Sequence, residues 1–79
     1  MSRSEYTKQI IKYFAKQNKK ITSDTELFNS GFLDSIDMVE LVMFIEEQFE
    51  IKLPQNLMTI ENFNSLENIV TIIDEIKNN

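Results

Sequence analysis

Apolar residues recur along this chain mainly at the spacing of an α-helix. Tyr6, Ile10 and Phe14 fall on one stripe with Ile11 beside it, and a second helical pattern covers residues 35–49. A third pattern, near the end of the chain, consists of five aliphatic residues: Leu66, Ile69, Ile72, Ile73 and Ile76. Alternating apolar and polar runs, which would indicate strands, are missing from the sequence. The pattern therefore predicts an all-α fold.

Residues of the helix-capping type mark where the first two helices begin and end. Ser2 stands three residues before Glu5 and predicts a capping box at the start of the first helix, which ends near Lys16. The second helix is expected to begin with either Asp34 or Ser35 as its cap, because both side chains can accept a hydrogen bond from a first-turn N–H.

Two further helices are expected after the chain's only proline, which fits a stop just beyond the second helix. Residues 56–62 are expected to hold a short helical turn that starts at Thr59. The final helix is predicted to begin at Asn64 or Ser65, and Asn64 would form a capping box with Glu67.

The connection between the first two helices, residues 17–33, is long and mostly polar. Five apolar residues interrupt it: Ile21, Leu27, Phe28, Phe32 and Leu33. These side chains predict an ordered connection that is pinned to the core. The elements together predict a small four-helix bundle of three main helices and one short helix, in a single domain over residues 1–79.

Several residue types that chemistry needs are absent from the composition. The chain has no His, no Cys, one Gly and one Pro. It therefore lacks an imidazole base, a thiolate nucleophile, a disulfide and a zinc site, and it has no glycine-rich phosphate loop. These absences argue against an enzyme and against a metal centre. No apolar leader follows the first residue, so a cytoplasmic chain is expected.

Charge is distributed unevenly along the sequence. Residues 1–20 carry six basic side chains and one acidic side chain, whereas residues 21–79 carry two basic and twelve acidic ones. The net charge is −5 and the pI is near 4.6. An acidic chain repels nucleic acid and anionic lipid, so neither nucleic-acid binding nor membrane insertion is expected. Its macromolecular partners should instead present basic surfaces, and the chain itself is expected to be a monomer.

The second helix is apolar on two sides. On a helical wheel one sector faces the core: Met38, Leu41, Val42, Ile45 and Phe49. The opposite side mixes acidic and apolar residues: Ile36, Val39, Glu40, Met43, Glu46 and Glu47. A helix buried on all sides is one interpretation, but it would bury carboxylates without partners. The pattern therefore favours an exposed face that docks a partner.

Ser35 stands at the start of this helix and has two interpretations. As a cap its hydroxyl would accept a backbone N–H and stabilise the fold by about 1 kcal/mol. As a functional residue it would be an exposed hydroxyl near the positive end of the helix dipole, where a phosphoester is stabilised. The residue pattern alone leaves both open.

Residues 31–37, with the sequence Gly-Phe-Leu-Asp-Ser-Ile-Asp, closely resemble the acyl carrier protein family. The Val-Glu-Leu-Val-Met run at 39–43, the acidic pair at 46–47, Leu27-Phe28 and Glu61-Asn62-Phe63 are also similar to family landmarks. The resemblance covers nearly the whole chain. In the family's Asp-Ser-Leu motif, Ile36 replaces leucine.

The resemblance implies that 4'-phosphopantetheine is attached to Ser35, with Asp34 beside it, and that this arm supplies the thiol which a chain without cysteine lacks. A phosphopantetheinyl transferase would load the arm from coenzyme A and provide the metal and the base. The family's partner-docking positions match one set of residues here: Ile36, Asp37, Val39, Glu40, Met43, Glu46 and Glu47. An acyl- or aminoacyl-loading ligase and downstream transferase or synthase enzymes are the implied partners.

The resemblance implies a carrier of acyl or aminoacyl thioesters, of a specialised polyketide, nonribosomal or D-alanyl type. The length of the segment between the proline and Ser65, and its Glu-Asn-Phe run, favour such stand-alone carriers. A carrier for fatty-acid biosynthesis is the alternative within the family. From another class, an acidic helical adaptor without a prosthetic group would use Ser35 only as a cap.

Overall fold

The computed structural model describes residues 2–29 and 31–78, and every regular element within them is a helix. The elements in chain order are α1 (Arg3–Ala15), α2 (Ser35–Phe49), a 3-10 turn (Gln55–Leu57), α3 (Ile60–Phe63) and α4 (Leu66–Lys77). The predicted all-α bundle, with three main helices and one short helix, is confirmed. So is the long connection between the first two helices.

Helix α1 begins and packs nearly as the sequence predicts. The hydroxyl of Ser2 accepts the Glu5 N–H at 3.3 Å. Among the described residues the Ser2 N–H does not reach the Glu5 carboxylate, so the predicted capping box is only half formed. The predicted stripe is buried: Tyr6, Ile10 and Phe14. Ile11 is 37% exposed and lies outside the core.

Aromatic side chains join α1 to α2. The Tyr6 and Phe49 rings meet edge to face with centroids 5.3 Å apart, and Tyr13 stacks on Phe44 at 4.3 Å. Pairs of this kind are worth roughly 0.5–1.5 kcal/mol beyond the area they bury. They hold α2 in place, and α2 carries the candidate functional residues.

The connection between α1 and α2 is pinned to the core as predicted. Ile21, Leu27 and Leu33 are buried, and Phe28 and Phe32 pack against the core while remaining partly exposed. Hydrophobic contacts at five points leave little freedom to a segment that contains no long helix.

Asn64 anchors the same connection with hydrogen bonds. Its side-chain carbonyl oxygen accepts the N–H groups of Phe28 at 2.8 Å and Asn29 at 3.0 Å. Its backbone carbonyl accepts the Leu27 N–H at 2.7 Å. Three backbone donors of a coil segment are thereby satisfied by one residue at the end of α3.

This use of Asn64 corrects one of the predicted helix starts. Ser65 caps α4, accepting the Asn68 N–H at 3.1 Å, so the predicted capping box between Asn64 and Glu67 is wrong. Asn64 is unavailable as a cap because its side chain faces the connection. The predicted start at Thr59 is confirmed, since its hydroxyl accepts the Asn62 N–H at 3.2 Å.

The core face of α4 differs slightly from the predicted one. Four of its residues are fully buried: Leu66, Ile69, Val70 and Ile73. Val70 is absent from the prediction. Ile72 and Ile76, which are part of it, pack against the core but stay partly exposed. The buried stripe is thus centred nearer to Val70 than the aliphatic pattern suggests.

Candidate functional site

Asp34 caps α2. Its carboxylate accepts the Asp37 N–H at 2.9 Å, and the Asp37 carboxylate accepts the Asp34 N–H at 3.0 Å, which completes a reciprocal capping box. Of the two caps that the sequence allowed, the structure selects Asp34. Ser35 is therefore the first residue of the helix, and its hydroxyl is not required for capping.

The Ser35 side chain is exposed, and no described residue forms a hydrogen bond with its hydroxyl. Among the same residues, the N–H groups of Ser35 and Ile36 also have no acceptor. Unpaired N–H groups at the positive end of a helix dipole favour a negatively charged group. A phosphoester on this hydroxyl therefore fits the residues around it.

The acidic pair at this helix start is balanced by one lysine of the connection. Lys19 Nζ lies 3.5 Å from the Asp37 carboxylate and 5.9 Å from the centre of the Phe32 ring. Hydrogen bonding from the Asp34 N–H, and secondarily the charge of Lys19, lower the pKa of Asp37 against the opposing effect of burial. Asp37 remains ionised and is engaged within the chain.

The outer face of α2 exposes its apolar residues to an unusual degree. The exposed fractions are 69% for Ile36, 59% for Val39 and 62% for Met43. Glu40 and Glu47 are exposed beside them. The predicted mixed face exists, and the predicted core sector lies opposite it, with Met38 half-buried and the other four residues buried. The five exposed residues are called the α2 outer face below: Ile36, Val39, Glu40, Met43 and Glu47.

Glu46 and Asp37 stand apart from the α2 outer face. Glu46 is half-buried, and its carboxylate accepts the Leu53 N–H at 2.8 Å, which fixes the chain after α2. Asp37 lies about 100° around the helix from Ile36, toward Lys19. The structure thus brings together five of the predicted docking residues and gives the carboxylates of two others contacts within the chain.

Two depressions border Ser35 and the α2 outer face. A cavity of about 200 Å³ adjoins Ser35 itself, lined by Phe28, Leu33, Asp34, Ser35, Met38 and Ile60. A mostly apolar groove of about 420 Å³ follows α2, lined by Met38, Val39, Val42, Met43, Gln55 and Met58. Sequence reasoning missed Gln55, Met58 and Ile60 at this site, because they reach it from the segment after α2. The 51% exposure of Ile60 cannot be deduced from sequence spacing.

The described residues hold neither a metal site nor a membrane-spanning helix. Residues 2–29 and 31–78 contain no group of three or more acidic, His or Cys side chains placed to hold a metal ion. None of the helices in this part of the chain is long and apolar enough to cross a bilayer.

Comparisons with known proteins agree with this geometry. The family model described as "Phosphopantetheine attachment site" matches residues 6–73. The D-alanyl carrier protein of Streptococcus uberis is 40% identical over 55 residues, which is 70% of either chain. The D-alanyl carrier protein of Streptococcus sanguinis is 30% identical over 70 residues, or 89% of either chain.

A third relative, the mitochondrial acyl carrier protein of Saccharomyces cerevisiae, is 43% identical over 53 residues, 61% of this chain and 42% of that protein. No solved structure matches the chain. The family match covers the connection, the capped helix start and the packed core of the bundle. The chain belongs to the phosphopantetheine-dependent carrier proteins, a family whose members carry intermediates for enzymes and are not themselves catalysts.

Proposed function

We propose that this protein carries acyl or aminoacyl groups as thioesters on 4'-phosphopantetheine attached to Ser35. The observation that supports this site is the exposed Ser35 hydroxyl, which has no hydrogen-bond partner among the described residues although it stands at a well-formed helix start. The bound arm supplies the thiol that holds the cargo. The chain contributes the attachment oxygen and the surroundings of the phosphate.

Two features of the helix start define this attachment site. Asp34 uses its carboxylate to cap α2, so Ser35 is held in helical geometry with its hydroxyl outward. The N–H groups of Ser35 and Ile36 have no acceptor among the described residues, so they are free to stabilise a phosphate on the Ser35 oxygen. The base that removes the hydroxyl proton must come from a transferase, because the chain has no histidine and the nearby carboxylate of Asp37 is occupied.

We further propose that partner enzymes with basic surfaces dock on the α2 outer face. Exposed carboxylates at Glu40 and Glu47 attract such a surface, and the apolar groups of Ile36, Val39 and Met43 provide contacts that exclude water. Asp37 and Glu46 belong to the same proposal as edge residues, whose carboxylates also maintain the shape of this region. Residues 1–79 would act as one monomeric carrier domain.

D-alanine or another small amino acid is the cargo class that we propose first. Two relatives that align over 70% or more of their length are named D-alanyl carrier proteins. A fatty-acyl cargo is the second candidate, because a mitochondrial acyl carrier protein also matches. The carrier that bears the 4'-phosphopantetheine arm without cargo is offered in parallel to purified ligases specific for D-alanine or for fatty acids. The gain in intact mass shows which cargo is attached.

The attachment site is tested by incubating the protein with coenzyme A and a broad-specificity phosphopantetheinyl transferase. The mass should rise by one phosphopantetheinyl unit, and Ser35→Ala should abolish the rise while leaving the helical circular dichroism unchanged. Ser23→Ala is the matched control, because Ser23 is an exposed serine in the connection. No gain in the parent chain, or an equal gain in Ser35→Ala, would contradict the site and favour an adaptor without a prosthetic group.

Docking is tested by charge reversal. Glu40→Lys or Glu47→Lys should slow loading by a basic transferase more strongly at low salt than at high salt, because exposed charges are screened over about 10 Å at 0.1 M salt. Glu67→Lys, an exposed reversal on α4, is the matched control. Loading rates that ignore both charge and salt would argue against an electrostatic docking face.

A further inference from the structure

A third depression, lined by basic side chains where the α2 outer face carries acidic ones, borders that face. It is a groove of about 430 Å³ between α1 and α2, lined by Gln9, Lys12, Tyr13, Lys16, Phe44 and Gln48. Within this lining Tyr13 stacks on Phe44, and Gln48 Nε2 donates to Gln9 Oε1 at 3.4 Å. The lining contains two lysines and no acidic side chain. These contacts fix the shape of the groove before any partner arrives.

The two lysines of this groove have charges that the described part of the chain does not neutralise. Both side chains are exposed, and the ion pairs in residues 2–29 and 31–78 involve Arg3 and Lys19 instead. Lys12 and Lys16 stand four residues apart on α1, which places them one turn apart on the same side of the helix. A carboxylate between them would meet two ammonium groups.

The position of the groove connects it with docking. Phe44 lies about 40° around α2 from Glu40 and about 60° from Glu47, so the groove begins where the α2 outer face ends. A stable interface covers about 800 Å² on each partner, an area large enough for a protein seated on the α2 outer face to reach Lys12 and Lys16 as well. That protein would meet acidic and basic residues side by side.

We propose that the groove between α1 and α2 binds an acidic side chain of the partner enzymes, so that Lys12 and Lys16 are specificity-determining residues. The inference rests on the proposed docking of enzymes to the α2 outer face. A cognate partner has basic residues opposite Glu40 and Glu47 and a carboxylate opposite the groove. A partner with an entirely basic surface is disfavoured, because its charges face the two lysines.

A peptide titration tests the groove without any loading reaction. The probe is acetyl-Glu-Leu-Glu-amide, added to isotope-labelled protein and followed by amide chemical shifts in NMR spectra. At millimolar concentrations, shifts are expected at Lys12, Lys16, Phe44 and Gln48, and Lys12→Gln/Lys16→Gln should remove them. Shifts centred on Lys20, which lines a different groove, would overturn the proposal.

Two comparison titrations identify other occupants of the groove. Inorganic phosphate, added to the same total concentration of negative charge as the peptide, should give clearly smaller chemical-shift changes at Lys12, Lys16, Phe44 and Gln48. Equal changes would mean a general anion site and would overturn the proposal. Raising the concentration of the protein alone should leave the groove unchanged. Shifts there that accompany dimerisation in sedimentation would assign the groove to a second copy and also overturn it.

Charge reversal tests specificity with a transferase whose docking surface is entirely basic, which is the kind of partner that the two lysines disfavour. Lys12→Glu/Lys16→Glu should speed loading by a basic transferase about 3- to 10-fold at low salt, in the range of electrostatic steering. Lys8→Glu/Lys20→Glu makes the same change in net charge at exposed lysines outside the groove, and it should alter the rate less than about 2-fold. Equal effects of the two pairs would show that only net charge matters and would overturn the proposal. Failure of Ser35 to accept the arm would instead remove the proposed function, and the peptide titration would still report on the groove.

Discussion

Helices α2 and α4 are both rich in large aliphatic residues, yet they use them differently. Every aliphatic residue of α4 is buried or half-buried against the core. On α2, four residues are buried, while Ile36, Val39 and Met43 are more than half exposed. Exposing such side chains forgoes about 1.5–3 kcal/mol each relative to full burial. Helix α4 therefore uses its aliphatic residues for folding, whereas α2 uses one side for folding and leaves the other side free for the docking that we propose.

The largest effect is expected where the two helices are alike. Leu41→Ala on α2 and Ile73→Ala on α4 both create cavities at fully buried positions, so each should lower the free energy of unfolding by about 2–5 kcal/mol. Urea denaturation followed by circular dichroism measures the loss. A change below about 0.5 kcal/mol at Leu41 would mean that the core face of α2 is misassigned.

The next effect should separate the two helices. Met43→Ala should change the free energy of unfolding by less than about 0.5 kcal/mol, because the side chain is exposed, but slow loading by about 10-fold if Met43 anchors partners. Thermal melts and loading rates are measured on the same samples. Ile11→Ala, at an aliphatic residue of α1 that is 37% exposed and lies away from the α2 outer face, should leave the loading rate unchanged. Equal loss of stability in Met43→Ala and Leu41→Ala would abolish the comparison.

A smaller effect distinguishes two neighbouring acids of α2. Glu46→Ala should destabilise the fold by about 1 kcal/mol, because the Leu53 N–H loses its acceptor, whereas Glu47→Ala should be nearly neutral. Glu46→Gln keeps a side-chain oxygen and should recover most of the loss. Denaturant melts of the three variants provide the measurement. Equal stability of all three would mean that the contact of Glu46 contributes nothing.

The smallest expected effect concerns acid sensitivity at the two helix starts. The pKa of Asp37 is lowered from its ordinary value of 3.8, so its ionised form stabilises the folded state above that pH. This contribution is lost as the pH falls through the lower folded-state pKa. The stability difference between the parent chain and Asp37→Asn should therefore shrink below pH 3.8. The cap of α4, Ser65, does not titrate, so Ser65→Ala should lower the free energy of unfolding equally above and below pH 3.8. Urea denaturation of the three proteins on either side of that pH provides the measurement.

Helical periodicity predicts the burial of those residues whose environment is set by their position around a single helix. The stripe of Tyr6, Ile10 and Phe14 and the exposed side of α2 follow from 3.6-residue spacing, because a helix that packs on one side must turn its other side to solvent. The resemblance to carrier proteins singled out Ser35. Its geometry was open until the structure showed that Asp34 is the cap.

The remaining features depend on contacts between segments far apart in sequence. Asn64 looks like a helix cap, and only the tertiary fold shows that its amide serves backbone donors 35 and 36 residues away. Glu46 looks like one more exposed acid until Leu53 is placed beside it. Ile60 joins the cavity at Ser35 from the start of α3, 25 residues further along the chain. Local spacing carries no information about such pairs.

The hydrogen bonds of Asn64 have a mechanical consequence for the cavity at Ser35. Phe28 lines that cavity from the connection, and Ile60 lines it from α3. Asn64, at the end of α3, holds the backbone of Phe28 at 2.8 Å, so the two walls are linked by a single amide. Local opening in proteins proceeds in cooperative units. We therefore expect the two walls to belong to one such unit, so that a displacement of α3 would carry the connection with it instead of widening the cavity.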